Sequence, residues 1–305
     1  MGSVWPMIDA FTTCLVYVPR PMPDKPRPAS PLVFSLPDWR VLALSGRDAL
    51  AFAQSQFMND VAALDDGQWQ WNGWLNPKGR VIALFALLRL DAQTLWLLLA
   101  DAHPAELAAK LQRYVFRSKL ALQPRDDLHA SGAFQAPQAA AAGDFARIGD
   151  DIELDMGSDA GPRTLSVATA PTPVDGDASM RWNAADLACG LPRLAATQLE
   201  QWTPQQLSLE RLRAFSVNKG CYPGQEIVAR THFLGQVKRG IALFEAERAV
   251  AAGAEVRAGE QLLGSVASVA GPHVLAVLPL ERPPLDLTAQ GIALSPRPLL
   301  GGLQR

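Results

Sequence analysis

A chain of 305 residues with 49% hydrophobic and 19% charged residues is globular and long enough for two or three domains around a substantial core. Its net charge of −2 excludes the overall basic character that nucleic-acid binding draws on and leaves only a local patch open. Three scattered cysteines, Cys14, Cys189 and Cys221, exclude a disulfide framework and fall short of the four ligands an iron–sulfur cluster normally takes. That usage fits a reducing cytoplasm.

Residues 1–31 read as an irregular lead-in, proline-rich near its end, with no basic segment and apolar run of a secretory signal. An α+β domain is expected over 32–125. Leu32 to Leu44 holds two short strand-like runs around Pro37-Asp38, with Trp39 opening the second. Ser45-Gly46-Arg47-Asp48 has the pattern of a capping box, and Ala49, Phe52, Ala53 and Phe57 form a helical apolar stripe. Three strands follow, Trp69 to Leu75, Arg80 to Leu90 and Thr94 to Leu99, joined by tight turns into an antiparallel meander. The second is strongly apolar but too short to cross a membrane, and it ends at Arg89 and Asp91. Pro104 opens a helix with Leu107, Leu111, Tyr114 and Val115 at core spacing. Trp69, Trp71 and Trp74 are expected in the core.

A second α+β part is expected over 126–235. Ile152 to Met156 and Thr164 to Ala170 look like strands, Ala136 to Gly143 is either loop or short helix, and Pro171 to Asp177 is a surface connection. Trp182 to Cys189 reads as a helix stopped by Gly190 and Pro192. Over 236–305 the short strand-like runs separated by Gly and Pro suggest a small β-barrel or sandwich.

Few constellations carry chemistry. The four histidines never pair at ligand spacing, so no metal site is expected. The Asn-Pro-Lys-Gly-Arg turn at 76–80 offers two cations, with a solvated hairpin as the plainer reading. Arg113, Arg117, Lys119 and Arg125 cluster around a helix end, where dipole-favoured surface charge is the default and a phosphate or RNA contact the sharper option. The most informative stretch is Lys219-Gly220-Cys221-Tyr222-Pro223-Gly224-Gln225-Glu226, running on to Arg230. Pro223-Gly224 is a turn signal, and a helix can start at Gln225. Cys221 then lies near a helix N-terminus between Lys219 and Arg230, which favours thiolate. Local chemistry leaves this reading level with that of an inert, buried cysteine.

The run Lys219 to Arg230 resembles the K-G-C-[YF]-x-G-Q-E-x-x-A-R signature of the YgfZ family, folate-binding proteins of iron–sulfur cluster assembly or repair and tRNA modification. That family is related to the T-protein, the aminomethyltransferase of glycine cleavage. The resemblance extends in order through Ser45-Gly46-Arg47-Asp48-Ala49, Gln56 to Val61, Asn76 to Arg80, Arg113 to Lys119, Gly190-Leu191-Pro192 and Gln206 to Glu210. It implies an α+β, T-protein-like body around a central folate channel, closed by a C-terminal β-barrel. Cys221 would be the functional thiol, with Lys219, Gln225, Glu226 and Arg230 shaping its surroundings. Trp39 and Trp182 match two tryptophans that border the folate, expected here as a tetrahydrofolate.

Two departures from the relatives matter. The T-protein carries an acidic pair soon after its hairpin glycines, one member its catalytic carboxylate; those places here hold Ala83 and Leu84. A methyl group does no proton or iminium work. Where that relative has a pterin-recognising glutamate, this chain has Ala188, with Asp186 nearby. The resemblance therefore implies a cytoplasmic accessory protein, not an enzyme in the strict sense, whose partners are folate and iron–sulfur enzymes or assembly factors, tRNA-modifying ones among those served. No membrane contact and no direct nucleic-acid binding are expected. The alternative is a tetrahydrofolate-dependent one-carbon transferase that uses some other acid.

Overall fold

A computed structural model describes residues 1–2, 33–235, 237–282 and 285–305. The lead-in expected over 1–31, including Cys14, lies outside these apart from its first two residues.

The chain opens with β1 (Phe34–Ser35), β2 (Arg40–Ser45) and α1 (Ala49–Gln56), then the meander β3 (Trp69–Leu75), β4 (Val81–Asp91) and β5 (Thr94–Leu99). After α2 (Pro104–Gln112), β6 (Ala121–Pro124) returns to the edge of this first sheet, whose order is β3-β4-β5-β2-β6. All its neighbouring pairs are antiparallel. Both faces of the sheet are covered, which explains why β4 reads as one apolar run and not as an alternation. Ala83, Phe85 and Leu87 join one cluster with α1, α2 and Trp74. Leu84, Ala86 and Leu88 join the main core with Trp39, Trp69, Trp71 and Trp182.

The second sheet draws on β7 (His129–Ala133), β8 (Ala146–Ile148), β9 (Asp151–Asp155) and β10 (Thr164–Ala168), in the order β1-β7-β10-β9-β8. Residues 136–143 form no helix. The following helix, α3 (Gly176–Ala188), begins well before Trp182, because the Asp175 carboxylate accepts from the N–H of Ala178 at 3.0 Å and caps it there. Gly190, at φ +77°, ends it. After the loops of 190–224 comes α4 (Gln225–Phe233).

The remaining strands are β11 (Arg239–Ala246), β12 (Glu255–Ala258), β13 (Gln261–Ala270), β14 (His273–Pro279), β15 (Leu287–Ala289) and β16 (Ile292–Arg297). They close into an antiparallel barrel in the order β11-β14-β13-β12-β15-β16. The segment after β16 leaves the barrel and enters the body. Leu303 is buried in the main core, and its carbonyl accepts from Trp71 Nε1 at 2.8 Å. No helix among the described residues is long and apolar enough to cross a membrane.

Two local expectations are corrected. Asp48 is the N-cap residue of α1, but its side chain caps nothing there; it accepts from Lys119 N–H at 2.7 Å and from Arg47. Tyr114 lies beyond α2, 42% exposed, with its ring edge on Trp74 instead of in the core.

Candidate functional site

The signature turn is seated on the hairpin between β3 and β4. Both turn glycines have positive φ, +69° at Gly79 and +79° at Gly224. A Cβ on Gly224 would lie 2.6 Å from the Asn76 carbonyl oxygen and 2.8 Å from Gly79 Cα, and one on Gly79 would lie 2.9 Å from Ile227 Cβ. Only glycine at both places lets the two backbones meet. The hairpin is itself fixed: Asn76 Oδ1 accepts from the N–H groups of Lys78 and Arg80, at 2.9 and 3.0 Å. Arg80, one of the two cations offered by that turn, is occupied by the Gln201 carbonyl and Gln206 Oε1 at 2.7 and 2.9 Å.

The loop leading to Cys221 is anchored from below by Lys219. Its ammonium donates to the carbonyls of Gln54, Phe57 and Asn59 at 2.5, 2.6 and 3.0 Å, at the C-terminal end of α1. Burial pushes its pKa down to about 8, with Asp60 pulling the other way. Ser216 Oγ accepts from the N–H groups of Asn218 and Lys219, while Ser216 N–H donates to the Met58 carbonyl. The Tyr222 hydroxyl donates to the Ser216 carbonyl at 3.3 Å, and burial pushes its pKa up to about 12. Asn59 Nδ2 donates to the Trp71 and Arg213 carbonyls, tying the same floor together.

On this frame Cys221 is exposed. Its sulfur is in contact with Gln225, whose Nε2 donates to Sγ at 3.6 Å while its Oε1 accepts from Tyr222 N–H at 3.2 Å. Of the supporting residues expected from sequence, Gln225 is thus the one brought to the thiol. Lys219 shapes the loop, and its donors are committed to carbonyls, not to sulfur. Glu226 and Arg230 pair with each other along α4 at 2.8 Å, both largely exposed. A lysine next to a cysteine in sequence need not be its electrostatic partner, because the three carbonyls capture the ammonium. The other described cysteine, Cys189, is buried beside Ser158 Oγ at 3.1 Å, and burial pushes its thiol pKa up.

Trp39 and Trp182 lie in the main core, 3% and 0% exposed. The Arg163 guanidinium covers the Trp182 ring at 4.6 Å, with Phe34 and Phe134 at 6.1 Å. Arg193 lies over Trp39 at 5.7 Å, and Trp71 packs beside it. A buried ionic chain joins the two: Arg163 Nη1 to Asp186 Oδ1 at 2.7 Å, Arg193 Nη1 to Asp186 Oδ2 at 3.4 Å, and Arg193 Nε to Asp101 Oδ1 at 2.8 Å. Arg193 also donates to Asn183 and the Ala100 carbonyl. The space between Trp39, Trp71, Leu98 and Arg193 amounts to about 10 Å³, room for about one water. Several buried donors here, Trp39 Nε1, Trp182 Nε1 and Arg163 Nε and Nη2, have no acceptor. Their chemistry suits an acceptor-rich heterocycle, but neither indole presents a free face, so a pterin does not fit in this arrangement. Ala83 and Leu84, which the resemblance sets at the places of the transferase's acidic pair, are buried in β4.

Asn59, Ser216 and the Arg163–Asp186–Arg193 chain carried no local sequence signal of these roles. Their partners lie far along the chain, as with Asn59 and Arg213, 154 positions apart.

This arrangement, two antiparallel sheets followed by a closed barrel, is the fold of the glycine-cleavage aminomethyltransferases. The solved structure of aminomethyltransferase T from Bartonella henselae superposes with a TM-score of 0.68, covering 90% of this chain and 86% of that one at 17% identity. No protein-family model matches the chain. Among curated proteins, the tRNA-modifying protein YgfZ of Klebsiella pneumoniae is 31% identical over 230 residues, 68% of this chain and 70% of its own length. That of Sodalis glossinidius is 30% identical over 248 residues, 73% of this chain and 75% of its own. The chain belongs to the YgfZ family.

Proposed function

We propose that this protein is a non-enzymatic accessory factor that supports iron–sulfur cluster assembly or repair, and through it enzymes that modify tRNA, with Cys221 as its contact thiol. The observation that carries the reading is the exposed Cys221 on a frame that Lys219, Gly79 and Gly224 hold fixed. An open, braced thiol suits the approach of a macromolecular partner. A nucleophile acting on a small substrate would sit enclosed beside a general base. The relatives' designation as tRNA-modifying proteins supports the direction of the service. The buried Ala83 and Leu84 count against one-carbon transfer.

The aminomethyltransferase-like fold and the unpartnered donors around Arg163 support a folate in the body. The sealed faces of Trp39 and Trp182 mean that the body must open first, so no step of the proposed function passes through folate. The test is an extract from cells lacking their own family member, in which an oxygen-damaged iron–sulfur enzyme recovers activity on addition of wild-type protein. The Cys221→Ala variant should give no recovery at equal concentration; recovery equal to wild type would remove Cys221 from the function.

A further inference from the structure

The segment Arg113-Tyr114-Val115-Phe116-Arg117-Ser118-Lys119 takes no part in the site above. α2 ends at Gln112 with Arg113 as its C-cap, so helix-dipole attraction accounts for Lys110 and Arg113. It does not account for Arg117 and Lys119, which lie past the last turn, nor for Phe116. Val115 packs against the α1–α2 core and Tyr114 sets its edge on Trp74 at 5.8 Å, and these two anchors leave Phe116 88% exposed. Among the described aromatic residues it is the most exposed, ahead of Phe233 at 63%. A phenyl ring this exposed, in a stretch whose Arg113, Arg117 and Lys119 are also exposed, has no packing role. The nearby carboxylate, Asp48, is already engaged by Arg47 and by the Lys119 N–H. The segment and the Cys221 loop share one support: Trp74 bridges to Phe57, whose carbonyl accepts from Lys219 at 2.6 Å.

We propose that this segment is a binding site for single-stranded RNA, with Phe116 stacking on an unpaired base and Arg113, Arg117 and Lys119 on the flanking phosphates. Aromatic rings set among cations bind single strands in this way, because every base has a face to stack and every linkage a charge. Electrostatics of the whole chain do not reveal it: the net charge is −2, and the basic character is local. The site is independent of what Cys221 does.

The test is fluorescence anisotropy with a short labelled single-stranded RNA, and a duplex of the same sequence for comparison. Wild-type protein should bind the single strand in preference to the duplex, and log K should fall with log salt with a slope of roughly −2, about −0.7 for each phosphate contacted. Phe116→Ala should weaken binding about tenfold or more, and Phe116→Trp should restore it. Arg117→Ala should weaken binding and make the salt slope shallower by about 0.7. Phe116 and Arg117 are exposed, so unchanged thermal melting of these variants serves as the folding control. An absent shift at low salt, or a Phe116→Leu variant that binds like wild type, would overturn the proposal; the patch would then fall to a protein partner.

Discussion

Lys219 gives the sharpest test of how the Cys221 loop is held. Replacing it with Met keeps the aliphatic stem and removes an ammonium that donates to three carbonyls at 2.5, 2.6 and 3.0 Å. Leaving those carbonyls without a donor would cost about 1–3 kcal/mol each if none found water, offset by no longer burying a charge. A net loss of about 2–4 kcal/mol near neutral pH is expected. The pH dependence carries the opposite part. The folded pKa, lowered from 10.5 to about 8 by burial, lies below the unfolded one. Below pH 8 both states hold the proton and the burial penalty is fully present; above it the unfolded chain binds more protons, so wild type gains as pH rises from 8 toward 10.5. At about pH 9.5 that gain is roughly 2 kcal/mol, and the deficit of Lys219→Met should widen by this amount. Urea unfolding at the two pH values reads both quantities. A variant as stable as wild type, or a deficit that narrows with pH, would refute the assignment of Lys219 as the buried anchor.

Gly224→Ala should destabilise by about 2 kcal/mol or more, since the new methyl meets the Asn76 carbonyl at 2.6 Å in a backbone that already needs positive φ; thermal melting reads it. Asp186→Ala should cost about 3–5 kcal/mol by leaving the buried Arg163 without its carboxylate, while Arg193 keeps Asp101; denaturant unfolding measures it. Alkylation followed by peptide mass spectrometry should modify Cys221 at least about tenfold faster than Cys189, which is buried with its thiol pKa pushed up. Equal rates would mean that Cys189 is open to solvent.

The parts of the fold legible in sequence were those where local rules and tertiary contacts agree. The meander β3–β5 showed in its turn residues and apolar runs, and α2 in Pro104 and the spacing of Leu107 and Leu111. The start of α3 was hidden because Asp175-Gly176 reads as loop until Ala178 is seen to donate to the Asp175 carboxylate. In the site, the turn at Pro223-Gly224 and the Gly79 hairpin were each visible, but their mutual packing was not, since it joins segments far apart in the chain. The thiol's electrostatics misled for the same reason. Adjacency in sequence put Lys219 and Arg230 beside Cys221, whereas folding gives Lys219 to the end of α1 and Arg230 to Glu226. For Trp39 and Trp182 the resemblance implies a place beside a folate, whereas folding buries both in the main core, and the arginines that cover them come from positions 163 and 193, which leave no pattern to read.

The most direct measurement of the central role is made in cells lacking their own family member and carrying either the wild-type gene or Cys221→Ala. The quantity to read is the fraction of tRNA carrying a modification that needs an iron–sulfur enzyme, determined by mass spectrometry of digested nucleosides. With Cys221→Ala at wild-type abundance, that fraction should fall to the level of cells without the protein. Modification at the wild-type level would contradict the assignment of Cys221 as the contact thiol.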